Sequence, residues 1–108
     1  MYINSRLYDK MEISITDLAK QVNCTLEELE PFMTAVRRYK WEITTDKFYM
    51  WLNDLLSLKS PEDILKTDCV SVSMLIRLMQ DNRRNKKLHL KSIATIEAII
   101  NRIGNGEK

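Results

Sequence analysis

Residues 15–34 read ITDLAKQVNCTLEELEPFMT, and the fold turns on how that stretch is read. Leu18, Ala19 and Val22 recur at helical spacing behind Ser14 and Thr16, either of which can cap a helix. Thr25-Leu-Glu-Glu28 then forms a capping box. In such a box the threonine hydroxyl accepts the Glu28 amide while the Glu28 side chain reaches back to residue 25. Leu26, Leu29, Met33 and Val36 follow in helical steps, so a second amphipathic helix is expected from Thr25 onward. Pro31 removes one backbone donor inside it, which predicts a kink or a restart. Asn23 stands between the two helices, where the chain must turn left-handed without a glycine.

Upstream, Ile3, Leu7, Tyr8 and Met11 have the spacing of a first helix over residues 3–11. Downstream, WEITTDKFYMWL admits two readings: a small β-wing over residues 41–51, or a helix capped by Thr44 or Thr45. Phe48, Trp51, Leu52 and Leu55 lie at i, i+3, i+4 and i+7, and Asp46 would suit the positive end of a helix dipole, so the helix is preferred. Ser60-Pro61-Glu62-Asp63 is a helix start with proline at its favoured first position. Val72, Leu75, Ile76 and Met79 predict the next stripe, ending near Asn82. A polar loop through Lys87 follows, with Leu88 and Leu90 anchoring it and His89 facing outward. Ser92 is expected to start a last helix with Ile93, Ile96, Ile100 and Ile103 on one face.

The composition fits this pattern. With 108 residues, 44% hydrophobic and 30% charged, the chain suits one globular domain. The only glycines are Gly104 and Gly106, so residues 1–103 must turn on Asn, Asp and Pro, which disfavours tight hairpins. We therefore expect an all-α, compact bundle of six or seven short helices over 1–103 and a flexible tail over 104–108. Cys24 and Cys69 fit neither a disulfide framework nor a zinc site and read as reduced core cysteines. No apolar run approaches the ~18 residues of a membrane span, and MYINSRLYDKME lacks the apolar core of a signal peptide. A cytoplasmic protein without membrane partners is the resulting expectation.

The 15–34 segment resembles the generic helix-turn-helix class. Ala19 fills the slot where the helices cross closely, and Leu18, Val22, Cys24, Leu29 and Phe32 fall on the positions that pin them together. It is also similar to the DLA…EEL segment of winged-helix domains, some of which are dimerisation modules that do not read DNA. The resemblance implies that the start of the second helix would enter the major groove. Glu27, Glu28 and Glu30 there would bring carboxylates to phosphates, which argues for a scaffold rather than a DNA reader.

Positive charge lies elsewhere. Residues 1–66 carry nine Lys/Arg against eleven Asp/Glu, whereas residues 67–108 carry eight against four. Arg83, Arg84, Lys86, Lys87 and Lys91 form the densest cluster, and Arg37, Arg38 and Lys40 end the acidic helix. These eight are the candidate nucleic-acid-binding residues, with DNA favoured over RNA. Exposed aromatics could add base stacking, with Tyr2, Tyr8, Tyr39, Trp41, Tyr49 and Trp51 as candidates, but most have core-compatible spacing and no aromatic motif for RNA recognition is present. Alternatively the chain is an adaptor or inhibitor that binds a protein of a nucleic-acid-processing complex, using the acidic helix 25–30 with Glu27, Glu28 and Glu30 as its docking surface. The Phe48–Trp51 aromatic cluster spreads over more than one helical face, which suits a core-crossing helix or a homodimer. One histidine and no glycine-rich phosphate loop leave no catalytic, cofactor or metal arrangement in view. The expectation is a small non-enzymatic regulatory or accessory protein of bacterial or phage type.

Overall fold

The computed structural model describes residues 13–67 and 70–104, so the expected helix over 3–11, Tyr2, Tyr8, Cys69 and the 105–108 tail lie outside the described residues. Within them the chain is all-helical. The helices are α1 (Ile15–Val22), α2 (Glu30–Tyr39), α3 (Thr45–Leu58), α4 (Pro61–Lys66), α5 (Val72–Asn85) and α6 (Leu90–Gly104). None is long and apolar enough to cross a membrane.

Side-chain caps define most of the starts. Ser14, Thr44, Ser60 and Ser71 each accept the backbone N–H three residues on, at 3.1–3.2 Å. The Thr44 cap overturns the β-wing. Residues 45–51 are the opening turns of α3, and residues 41–44 are a connector whose Ile43 carbonyl accepts the Ile13 N–H at 3.0 Å. The periodicity of 3.6 in FYMWLNDLL outweighed the β-branched residues before it, because Phe48 and Leu52 are both buried completely on one face.

The ends are set by left-handed residues. Asn23, as expected, takes φ 58, and the Cys24 N–H closes α1 by donating to the Ala19 carbonyl at 2.9 Å. The other two ends differ from expectation. Lys40 (φ 56) and Lys86 (φ 50) are the turning residues after α2 and α5, where Asn, Asp or Pro was anticipated.

The capping box forms, but the helix behind it does not start there. Glu28 N–H donates to Thr25 Oγ1 at 3.2 Å, and Thr25 N–H donates to Glu28 Oε1 at 2.9 Å. Residues 26–29 form a turn closed by Leu29 N–H to the Leu26 carbonyl, and α2 restarts at Glu30. Pro31 cannot donate the N–H that would have bonded Glu27, so the turn stays separate and Leu26 is 51% exposed.

α3 crosses the centre. It packs against α1 and along α6, which also covers α4 and α5. Phe48 meets Phe32 of α2 edge to face, with ring centroids 5.4 Å apart. Leu18, Val22, Leu29, Phe32, Leu52, Met74, Leu78, Ile96 and Ile99 complete one continuous core. α5 is turned from its expected face. Met74, Leu75 and Leu78 are buried, while Val72 and Met79 are only partly covered and Ile76 is exposed.

That rotation is fixed by Glu28, whose side chain is only 9% exposed. Its Oε1 accepts from Arg77 Nη1 at 2.9 Å, and its Oε2 accepts from the hydroxyls of Ser71 and Ser73. Burial alone would raise the carboxyl. Hydrogen bonds from Ser71, Ser73 and Thr25 outweigh it and hold the group down to about 2.

A folded-state value below the unfolded one stabilises the fold above pH ~4.5 and loses that stabilisation as pH falls towards ~2. We expect Glu28→Gln to lower stability at pH 7 by about 1–2 kcal/mol once solvent screening is allowed for, and to flatten the stability loss of the wild type between pH 5 and 2. Urea unfolding followed by circular dichroism at a series of pH values checks this. Parallel curves for the two proteins would show that Glu28 is not the group responsible.

Candidate functional site

The C-terminal ends of α1 and α5 meet the N-terminal end of α3, and five of the eight basic candidates gather there. The Thr45 hydroxyl donates to Gln21 Oε1, tying α3 to α1. Asn85 Nδ2 donates to the buried Tyr49 hydroxyl at 3.2 Å, tying α5 to α3. Burial raises the Tyr49 phenol above its ordinary value, a shift the Asn85 bond opposes. Between α1 and α5 lies an open cleft of about 340 Å³ lined by Lys20, Gln21, Asn23, Asp81, Arg84 and Asn85.

α5 runs through Asn85, beyond the expected stop near Asn82, so Arg83 and Arg84 stand on its last turn rather than in a loop. Cations there are favoured by the helix dipole. The remaining loop, Lys86 to His89, is pinned by three asparagines. Asn85 Oδ1 accepts Lys87 N–H at 3.1 Å, and Asn82 Oδ1 accepts Leu88 N–H at 3.1 Å. Asn53, 3% exposed on α3, donates to the Lys87 carbonyl at 3.0 Å. Its Oδ1 accepts His89 N–H at 2.9 Å and the Ser92 hydroxyl at 2.7 Å.

Two expectations change here. Ser92 is buried and donates to Asn53 instead of capping α6, which begins at Leu90 with the His89 carbonyl accepting Ile93 N–H. Leu88 does anchor the loop, but Leu90 is 85% exposed, because the strand-like alternation gives way to helical periodicity at that residue. His89 is exposed, as expected.

The eight basic candidates fall into distinct states. Lys87 Nζ reaches Asp46 Oδ1 at 3.1 Å, and Arg37 pairs with Glu30 at 2.6 Å. Arg38, Lys40, Arg83, Arg84, Lys86 and Lys91 are all exposed. None of these six ion-pairs with a carboxylate among the described residues. Arg83, Arg84, Lys86, Lys87 and Lys91 share one end of the bundle. Arg37, Arg38 and Lys40 sit at the end of α2, and the Trp41–Thr44 connector leads from there into α3.

The acidic candidates separate too. Glu28 is turned inward and engaged by four residues, Glu30 is committed to Arg37, and Glu27 stays exposed beside a shallow hollow with Pro31, Val70 and Ser71. Cys24 is partly buried, its Sγ donating to the Val22 carbonyl at 3.3 Å. Burial pushes its thiol up to about 12; the Glu28 and Asp81 charges add to the shift and Arg77 opposes it, so the thiol stays protonated and unreactive.

Sequence reasoning missed Lys20 and Asn53. Lys20 is brought beside Arg84 only by tertiary packing, and no local signal marks it. Asn53 was detectable, since Tyr49, Asn53 and Leu56 lie at i, i+4 and i+7, an amide set into a buried stripe. No family model, curated protein or solved structure matches the chain.

Replacing Asn53 with alanine would orphan a buried carbonyl, an amide and a hydroxyl, at a cost of ~2–4 kcal/mol. In hydrogen exchange the His89 amide should then lose its protection while amides in the middle of α2 keep theirs under native conditions. Unchanged exchange at His89 would mean that the loop is held by something other than Asn53.

Proposed function

We propose that this chain is a small non-enzymatic accessory protein that binds nucleic acid through the basic end formed by α5, the Lys86–His89 loop and the start of α6. The observation that carries this reading is the position of Lys86 and Lys91. Lys86 is a non-glycine residue in a left-handed conformation, φ 50, which costs about 1 kcal/mol for an L-residue. Lys91 stands in the first turn of α6, where the helix dipole disfavours a cation by roughly 0.3–1 kcal/mol. Neither has a carboxylate partner among the described residues. Two exposed cations at positions that local structure penalises support a role in holding an external anion. Arg83 and Arg84 need no such explanation for their placement, but they add charge to the same surface.

A rigid loop also suits the task. Pinned backbone presents its lysines without the ordering entropy that a mobile loop would lose on binding. α1, the Thr25–Leu29 turn and α2 then act as scaffold, in keeping with the helix-turn-helix resemblance but without groove reading by acidic residues. The adaptor reading draws less support, because the Glu28 carboxylate is already used internally and Glu30 is held by Arg37.

Fluorescence anisotropy with duplex and single-stranded DNA over a salt series tests the proposal. On duplex DNA, log K should fall against log salt with a slope of about −0.9 per phosphate contact. Arg83→Glu combined with Arg84→Glu should abolish binding, and no binding by the wild type at low salt would sink the reading. Lys86→Gly gives a second check with opposite signs. It should raise folding stability by ~1 kcal/mol while shallowing the salt slope by about one contact. A variant that gains stability and binds as well as the wild type would remove Lys86 from the interface.

A further inference from the structure

We propose that the stacked Tyr39–Trp41 pair at the end of α2 is a base-stacking site for single-stranded nucleic acid, flanked by Arg38 and Lys40 as phosphate contacts. The inference rests on the nucleic-acid reading above and names the form of nucleic acid.

The pair is built by the helix cap. Lys40 turns left-handed at φ 56, and Trp41 N–H returns to the Val36 carbonyl at 3.1 Å. That reversal folds the indole back over Tyr39, with ring centroids 5.5 Å apart and planes 24° apart. The core pairs meet at wider angles, Phe32–Phe48 and Phe48–Tyr49 at 83° and 76° and Phe32–Trp51 and Phe48–Trp51 at 60° and 40°. An offset stack with one ring exposed leaves that ring's outer face flat and open to a further ring. Trp41 is partly buried against the core and forms the fixed base of the stack, while Tyr39 is 60% exposed. Closing the cap requires Trp41 to approach Val36 but gives the other face of Tyr39 no ring partner among the described residues.

The charge around the stack is suited to phosphates. Arg38 and Lys40 are exposed without carboxylate partners among the described residues, and the Arg37–Glu30 pair is internally neutral. Glu42 is the one acid that immediately follows in sequence, and it opposes binding. Base faces are hidden inside a duplex, so an aromatic platform selects unpaired strands. The stack also lies within reach of the main basic end. Six peptide steps from Lys40 to Asp46 span at most ~21 Å, and Asp46 holds Lys87. A short strand lying on Tyr39 can therefore extend to the Lys86–Lys91 cations.

The test uses the full chain carrying Trp51→Phe, so that Trp41 is the sole indole, titrated with a short oligothymidylate. Trp41 emission should be quenched saturably in step with anisotropy. Tyr39→Ala should weaken oligothymidylate binding about tenfold, within the range for losing one stacked base, while duplex affinity and salt slope stay unchanged. Tyr39→Phe should keep wild-type affinity, which separates ring stacking from loss of the phenol or of the fold. Unaltered oligothymidylate affinity in Tyr39→Ala, or unquenched Trp41 at saturation, overturns the stacking site. If Arg83→Glu with Arg84→Glu abolishes binding in that same case, the basic end stands and only the stack falls. Wild-type protein that binds neither form of DNA at low salt overturns both.

Discussion

The carboxylate of Glu28 is where local and long-range structure meet. One oxygen completes a capping box dictated by four consecutive residues, and the same group reaches forty-odd residues along the chain to Ser71, Ser73 and Arg77. Because Ser73 and Arg77 lie one turn apart, holding both fixes the rotation of α5 about its axis. Met74, Leu75 and Leu78 then face the core. The polar stripe continues past Arg77 to Asp81 and Arg84, which border the cleft against Lys20 and Asn23. A single buried charge at one end of α5 thereby sets which side chains stand at the other.

Asn53 has the corresponding role for α6. A chain with no glycine before residue 104 has few ways to turn sharply, and here asparagine amides replace the conformational freedom that is missing. Asn53, Asn82 and Asn85 between them satisfy three backbone N–H groups and one carbonyl over Lys87–His89. Each is a side chain anchored in or on a helix, so the loop inherits the rigidity of α3 and α5. Both polar atoms of the buried amide are partnered, which is the condition under which a polar core residue specifies a structure instead of weakening it.

Features governed by neighbours along the chain were legible in the sequence. The all-helical class, the caps at Ser14, Thr44, Ser60 and the Thr25 box, the left-handed Asn23 and the restart at Pro31 all depend on residues within one turn. What failed was set across the fold. The exposed face of α5 follows from Glu28, the burial of Ser92 from Asn53, and the exposure of Leu90 from where α6 begins. The same division holds at the candidate site. The basic cluster is visible as composition, but the pairing of Lys87 with Asp46 and the addition of Lys20 near Arg84 are tertiary facts, whereas Arg37 pairs with Glu30 two turns back on the same helix. Glu28 shows the limit most clearly: the capping box announced one of its oxygens, and nothing local announced the partners of the other.

This division offers a physical criterion for sorting the charges of a small helical protein. Arg37, Arg38, Arg83 and Arg84 lie in the last turns of α2 and α5, where cations stabilise a helix whatever else they do. Their positions alone therefore carry no functional information. Lys40 and Lys86 are different, since a flexible lysine gains nothing from a left-handed backbone that glycine or asparagine would adopt at lower cost. Lys91 is different again, facing a dipole of the wrong sign. Against four side-chain caps and a buried amide whose oxygen and nitrogen are both partnered, these three positions contradict local preference. All three are exposed lysines, two at the same end of the bundle and the third beside a stacked aromatic pair. Strain from one of them would be unremarkable in a loop; three together combine penalised geometry with exposed positive charge, a pattern that the proposed anion-binding role would explain.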